Sequence, residues 1–303
     1  MPELTFPLPQ GIAWQYHFLV WLQTFHTATL DYVAKILTWT GMEGFYLVLL
    51  PVLFWSVNRK FGLRLTYVFL ASMFVNAWLK EALQIQRPTG IPGIRSILLW
   101  SGPGYAMPSG HAQGSMTFWL LIGLWFKKVW LWIGLLILVL AIGFSRLYVG
   151  LHWPLDVLVG WGIGLLAAPL GWALGEWWSY RQLAFSIRLV FAVGLPVVLL
   201  LIQQDPISAL YAALLLGIGT GAVLEEKWLS VDIEKVWWKR ISTAVIGIAG
   251  LIAVQWLVTV MSVWPIPTEL LAIIRGVLTG LWGTLGAPYV FRQSGLYRRK
   301  ESA

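Results

Sequence analysis

Three short stretches hold the residue types that handle phosphate. Lys80 and, seven residues on, Arg87-Pro88 form the first; Pro108-Ser109-Gly110-His111 form the second; Ser145-Arg146 with His152 and Asp156 form the third. On one continuous helix, Lys80 and Arg87 are two turns apart and share a face, and Pro88 then stops that helix. Such cations either reach toward lipid headgroups or bind phosphate oxygens, which a guanidinium takes two at a time.

Pro108 suits a helical first turn, where its missing N–H would be unpaired anyway. Gly110 lets an anion approach the backbone, the Ser109 hydroxyl adds a donor, and the helix N-terminus favours negative charge. His111 beside such a phosphate is suited to protonating a departing alkoxide. The same tetrapeptide also reads as an ordinary helix start followed by a packed histidine. Asp156 lies four residues after His152, close enough to accept from one imidazole nitrogen. That fixes the tautomer and leaves the other nitrogen as an in-line nucleophile toward phosphorus. A carboxylate near the membrane needs such a partner. A structural His–Asp pair tying two helices is the alternative, and it leaves Lys80, Arg87, Ser109, His111 and Arg146 unaccounted for.

The elements that position these residues are apolar. The chain of 303 residues is 58% hydrophobic and 11% charged, with a mean hydropathy of +0.74. Apolar runs of roughly 20 residues, the length that spans a bilayer core, recur. The reading is an all-α, polytopic transmembrane bundle of nine spans: about 42–57, 65–85, 109–126, 129–147, 154–175, 184–203, 207–224, 241–262 and 269–290. Residues 12–38 are amphipathic and read as one or two interfacial helices, with a short tenth span as the alternative. The divisions are 1–40, the interfacial segment; 41–176, the core holding all three motifs; and 177–303, additional C-terminal spans. Gly217, Gly219 and Gly221, then Gly276, Gly280, Gly283 and Gly286, mark faces where helices approach closely. Arg275, inside the last span, invites either a functional role or a helix pairing with Glu269.

The net charge is +8. In a soluble chain that would suggest nucleic acid, but here the basic residues cluster at helix ends, so no nucleic-acid partner is expected. Fifteen of the 21 Lys and Arg fall on one side of the expected topology: Arg59, Lys60, Arg64, Lys127, Lys128, Arg181, Arg188, Lys227, Lys235, Lys239, Arg240, Arg292, Arg298, Arg299 and Lys300. The positive-inside rule puts those and the C-terminus in the cytoplasm and both motif loops, 86–108 and 146–153, outside. The N-terminus has no basic region of the kind that precedes a cleavable signal. With no cysteine in the chain, disulfides, thiolate nucleophiles and Cys-ligated metals are excluded.

Together, in this order, the eleven motif residues resemble the type 2 phosphatidic acid phosphatase superfamily, over about residues 40–176. That family includes integral-membrane lipid phosphatases, soluble bacterial acid phosphatases and vanadium haloperoxidases. The resemblance implies that His152 attacks to form a phosphohistidine, Asp156 orients it, and His111 protonates the leaving group. It implies that Lys80, Arg87, Ser109, Gly110 and Arg146 hold the phosphoryl oxygens, with no metal and no cofactor. The implied substrates are phosphatidic acid, phosphatidylglycerol phosphate, undecaprenyl pyrophosphate or sphingoid-base phosphates. The implied place is a bacterial inner membrane with the site facing the periplasm. A lipid phosphotransferase with the same intermediate, and a transporter or scaffold with a vestigial site, are the competing readings.

Overall fold

The computed structural model describes residues 11–203 and 205–299. In chain order the helices are α1 (Ala13–Gln23), α2 (Ala28–Gly41), α3 (Glu43–Ser56), α4 (Arg59–Leu83), α5 (Gly110–Phe126), α6 (Val129–Tyr148), α7 (Pro154–Arg181), α8 (Phe185–Ile202), α9 (Pro206–Trp228), α10 (Trp237–Met261), α11 (Thr268–Leu281) and α12 (Ala287–Gln293). Two three-residue strands, β1 (Val231–Ile233) and β2 (Tyr297–Arg299), pair antiparallel. The chain divides into two compact units: residues 1–43 with 79–166, and residues 44–78 with 167–303.

Among the described residues, seven stretches are long and apolar enough to cross a membrane: α4, α6, α7, α8, α9, α10 and Thr268–Gln293. Counting α2 and α3 as one interrupted span gives eight. The nine spans expected from sequence are thereby corrected. The run at 42–57 forms only the 14 residues of α3, and the run at 109–126 forms the 17 residues of α5. At 1.5 Å per residue α3 by itself falls short of a hydrocarbon core of about 30 Å, while α5 stands at the lower end of the lengths that cross one.

In the first unit, the amphipathic N-terminus forms the two helices α1 and α2. Thr27 caps α2 through its hydroxyl, which accepts from the Leu30 N–H at 3.2 Å. Tyr16 and Leu19 of α1 are buried with Ile94, Ala106, Ala112, Leu147, Trp153 and Val157. Polar contacts then fix the long loop after α4. Tyr16 donates to the Pro92 carbonyl at 3.0 Å, and the Gln23 amide donates to the Arg95 and Tyr148 carbonyls. Asp31 of α2 pairs with Arg95 and accepts from the Tyr148 hydroxyl at 2.6 Å.

In the second unit, the glycine faces expected from sequence meet. A Cβ on Gly276 of α11 would lie 2.8 Å from the Leu210 carbonyl of α9, and one on Gly280 would lie 2.6 Å from the Ile218 nitrogen. Only glycine permits that approach. Trp55 donates to the Gly283 carbonyl at 2.7 Å, and the Tyr297 hydroxyl donates to the Trp55 carbonyl at 2.6 Å. These bonds tie the segment that follows α11, and strand β2, to α3.

Candidate active site

All the residues singled out for phosphate chemistry lie within the first unit. His152 stands in the five-residue turn between α6 and α7, buried at 1% exposure. Its Nδ1 lies 3.3 Å from Asp156 Oδ2, and the same oxygen accepts from the Trp153 N–H at 2.7 Å. Its Nε2 lies 2.9 Å from Arg87 Nη1. A guanidinium can only donate, so Nε2 accepts and carries the lone pair, and Nδ1–H donates to Asp156. The tautomer expected for a nucleophilic histidine follows from these two contacts.

Arg87 is placed differently from the expectation. α4 ends at Leu83 and Gln84 takes φ +51°, so Arg87 is in the loop and not on the helix that carries Lys80. Pro88 disfavours helical backbone at Arg87 itself, and the side chain is drawn into the loop carbonyls. Its Nε donates to Gly104, Nη2 to Pro103 and Tyr105, and Nη1 to Leu151 besides His152. All five N–H donors are thus engaged. Burial pulls its pKa down to about 10, against the opposing pull of Asp156, so it stays a cation at neutral pH. Lys80 reaches the same loop from α4, donating to the Tyr105 carbonyl at 2.7 Å. The two cations therefore converge, though by a route other than a shared helix face.

The second motif is joined to the third through the backbone, where the Ser109 N–H donates to the Asp156 carbonyl at 2.9 Å. Ser109 occupies the N-cap position of α5, but its hydroxyl makes no capping bond. Ser109 Oγ, His111 Nε2 and Arg146 Nε are buried polar atoms without a partner. His111 is held through its other face by the Thr38 backbone. Arg146, fully buried, donates to Thr38 Oγ1 at 3.0 Å and to the hydroxyl and carbonyl of Ser101. Buried polar groups are almost always satisfied, and three donor-capable atoms left over beside a histidine pair are what an oxyanion would satisfy. The charges of Arg87, Lys80 and Arg146 all act on His152. Among the described residues, no group of three or more His, Asp or Glu side chains could hold a metal.

Thr38, Gly41 and Gly160 escaped the sequence reading. A Cβ on Gly41 would meet the His111 ring at 2.9 Å, and one on Gly160 would lie 2.7 Å from the Ser109 carbonyl oxygen. Gly160 and Gly164 stand four apart on α7, a small-residue stripe visible in sequence; a Cβ on Gly164 would lie 2.8 Å from the Gln113 carbonyl. We expect Gly160→Ala to cost about 1–3 kcal/mol of stability. It should also depress phosphate release beyond that loss, because the atom forced to move is the backbone of the Ser109 turn. Thermal transitions and initial rates measured side by side check this.

Residues 61–180 match the PAP2 superfamily. Residues 209–299 match the PAP2 superfamily phosphatase, transmembrane extension. The Escherichia coli protein named "Putative undecaprenyl-diphosphatase YbjG" is 31% identical over 154 residues, which are 48% of this chain and 76% of that one. The chain belongs to the PAP2 superfamily. An undecaprenyl-diphosphatase of Sulfolobus acidocaldarius is 31% identical over 45% of this chain and 66% of its own length. Human sphingosine-1-phosphate phosphatase 2 is 30% identical over 57% of this chain and 44% of its own. The chain thus spans two thirds or less of these last two. The superfamily membership expected from the three motifs is borne out. The second match lies in the C-terminal spans, where no chemistry was legible.

Proposed function

We propose that this superfamily member hydrolyses a phosphomonoester or pyrophosphate carried by a membrane amphiphile. The observation that carries the reading is His152, its Nδ1–H on Asp156 and its Nε2 lone pair turned into a buried cluster of cations and unsatisfied donors. In the first step the Nε2 lone pair forms a bond to phosphorus while the phosphorus–oxygen bond to the leaving group breaks. Protonated His111 gives that oxygen its proton. In the second step water attacks phosphorus, His111 takes a proton from the water, and the phosphorus–nitrogen bond electrons return to His152. Lys80, Arg146, Ser109 and the Gly110 N–H supply the charge and donors for the phosphoryl oxygens, stronger in a dry site than in water. Arg87 contributes by exchanging one protein acceptor for a phosphate oxygen.

The relatives named as undecaprenyl-diphosphatase and sphingosine-1-phosphate phosphatase point to lipids that share a phosphate on an apolar tail, and that is the class assigned here. The helix-end loops rich in Lys and Arg alternate along the chain with those bearing the site. This supports a cytoplasmic C-terminus and a site on the outer face of a bacterial inner membrane.

The test is phosphate release by purified protein in detergent, without added metal, from a panel of lipid monophosphates and pyrophosphates. Release from at least one is expected; none from any would overturn the reading. Phosphate appearing on an added alcohol acceptor in place of free phosphate would identify a phosphotransferase.

The pH profile gives a second check. Burial, reinforced by the charges of Arg87, Lys80, Arg146 and His111, holds the His152 pKa well below that of an ordinary imidazole. The nucleophile must be neutral, so a lowered pKa moves the acid limb of kcat/KM downward. Activity is expected to persist as pH falls through about 6.5 and to be lost only below it. A limb at or above that value would count against His152 as the attacking group.

A further inference from the structure

The second unit contains a cavity of about 430 Å³, well away in sequence from the histidines. That is within the roughly 300–1,000 Å³ of sites that bury a small molecule. Its wall is mostly aliphatic and aromatic, with Leu50 and Phe54 of α3, Leu214 of α9 and Leu251 of α10 among its lining. Its one charged group is Arg275 of α11, which lines it with Thr279 of the same helix and Gln255 of α10; Thr66 and Thr284 are the other polar residues on the wall. Gln255 and Thr279 satisfy each other at 2.9 Å. Arg275 is different. Its Nε is buried with no partner, and it forms no ion pair among the described residues. The pairing with Glu269 expected from sequence does not form; Glu269 accepts from its neighbour Thr268 instead.

Arg275 is the eighth residue of α11, about 10 Å along the helix from its start. A cation inside a membrane span is costly unless it meets an anion or a dipole, and such residues mark functional sites by default. A guanidinium facing an apolar cavity favours an oxyanion attached to an apolar tail, taken through paired N–H donors. With one cation and no second basic group on the cavity wall, the matching head is singly charged. A phosphomonoester, carrying about −1.5 to −2, would be left under-compensated.

The geometry points to a binding site for a single-chain carboxylate amphiphile, a long-chain fatty acid, with its carboxylate on Arg275 and its chain in the cavity. This site is separate from the phosphatase reading and does not depend on it. It gives the transmembrane extension, which supplies Leu214, Leu251, Gln255, Arg275 and Thr279, a ligand of its own.

The test is photolabelling of the full chain in detergent with a diazirine-bearing palmitate, followed by peptide mapping and competition. Label is expected on α9, α10 and α11. It should be displaced by palmitate, and about tenfold less well by hexadecanol, which keeps the chain and lacks the charge. Arg275→Leu should weaken palmitate competition by about tenfold or more, and Arg275→Lys by less. Leu251→Trp, which fills the cavity and leaves Arg275 in place, should abolish the label. Elution from a sizing column as a single folded species is required of each variant. The proposal is overturned if hexadecanol competes as well as palmitate, if Arg275→Leu leaves competition unchanged in a folded protein, or if the label maps elsewhere. Hexadecyl phosphate displacing the α9–α11 label better than palmitate would overturn the choice of a carboxylate. Loss of phosphate release alone, with labelling intact, would sink the phosphatase reading and leave this one standing.

Discussion

A His152→Ala protein is expected to release phosphate at least about ten-thousandfold more slowly than the parent. The size follows from what the side chain does. Without Nε2 there is no covalent step, and water would have to attack a phosphate ester directly. The cluster of Lys80, Arg146 and Ser109 would still bind and polarise the substrate, so substrate affinity is expected to change far less than kcat. Asp156 keeps one hydrogen bond, from the Trp153 N–H at 2.7 Å, so the turn retains an anchor and the variant is expected to fold. A small shift in thermal transition would confirm that activity was lost by chemistry. Rapid quenching of the parent with a labelled lipid phosphate into alkali, where phosphohistidine survives, is expected to leave label on the chain. The variant is expected to leave none. Phosphate release near the parental rate would remove His152 from the mechanism altogether.

Much of this site could be read before the fold was known, because its chemistry is concentrated in short stretches. His152 and Asp156 are four residues apart, and the turn that holds them is local, so spacing alone predicted their contact. The N-terminal position of Ser109 on a helix was likewise set by Pro108 beside it. What could not be read depends on residues brought together from far along the chain. Ser101 receives Arg146 across 45 positions and Thr38 receives it across 108, and neither serine nor threonine carries a signal that marks it. The Asp31–Arg95–Tyr148 cluster is hidden for the same reason. Arg87 shows a subtler failure. Its spacing from Lys80 fits a helix, yet the carbonyls of residues 103–105 compete for its guanidinium, and tertiary contacts override local periodicity. The span count differs at α3 and α5, whose helices match the apolar runs to within a residue at each end but, at 14 and 17 residues, are shorter than the stretches counted as spans.

The position of Arg87 leads to the second large expectation. Arg87→Lys should lower kcat/KM by about a thousandfold, the scale seen when a preorganised donor to developing charge is lost. Lysine keeps the positive charge, so a site that merely needed a cation would tolerate the change. Here the guanidinium bridges five acceptors, the carbonyls of Pro103, Gly104, Tyr105 and Leu151 and the Nε2 of His152. An ammonium group has three donors on a point, and no placement of it spans that set. Gly102 packs against the guanidinium, where a Cβ would lie 3.2 Å from Nη1, so the loop is shaped to the planar group. With lysine, several buried carbonyls lose their donor, and His152 loses the contact that holds its lone pair in place. The loss should therefore appear mainly in kcat, with a loosened 103–105 loop detectable as faster proteolysis there. An Arg87→Lys protein within tenfold of the parent would show that Arg87 acts through charge alone. Its five bonds would then be scaffolding for the loop and nothing more.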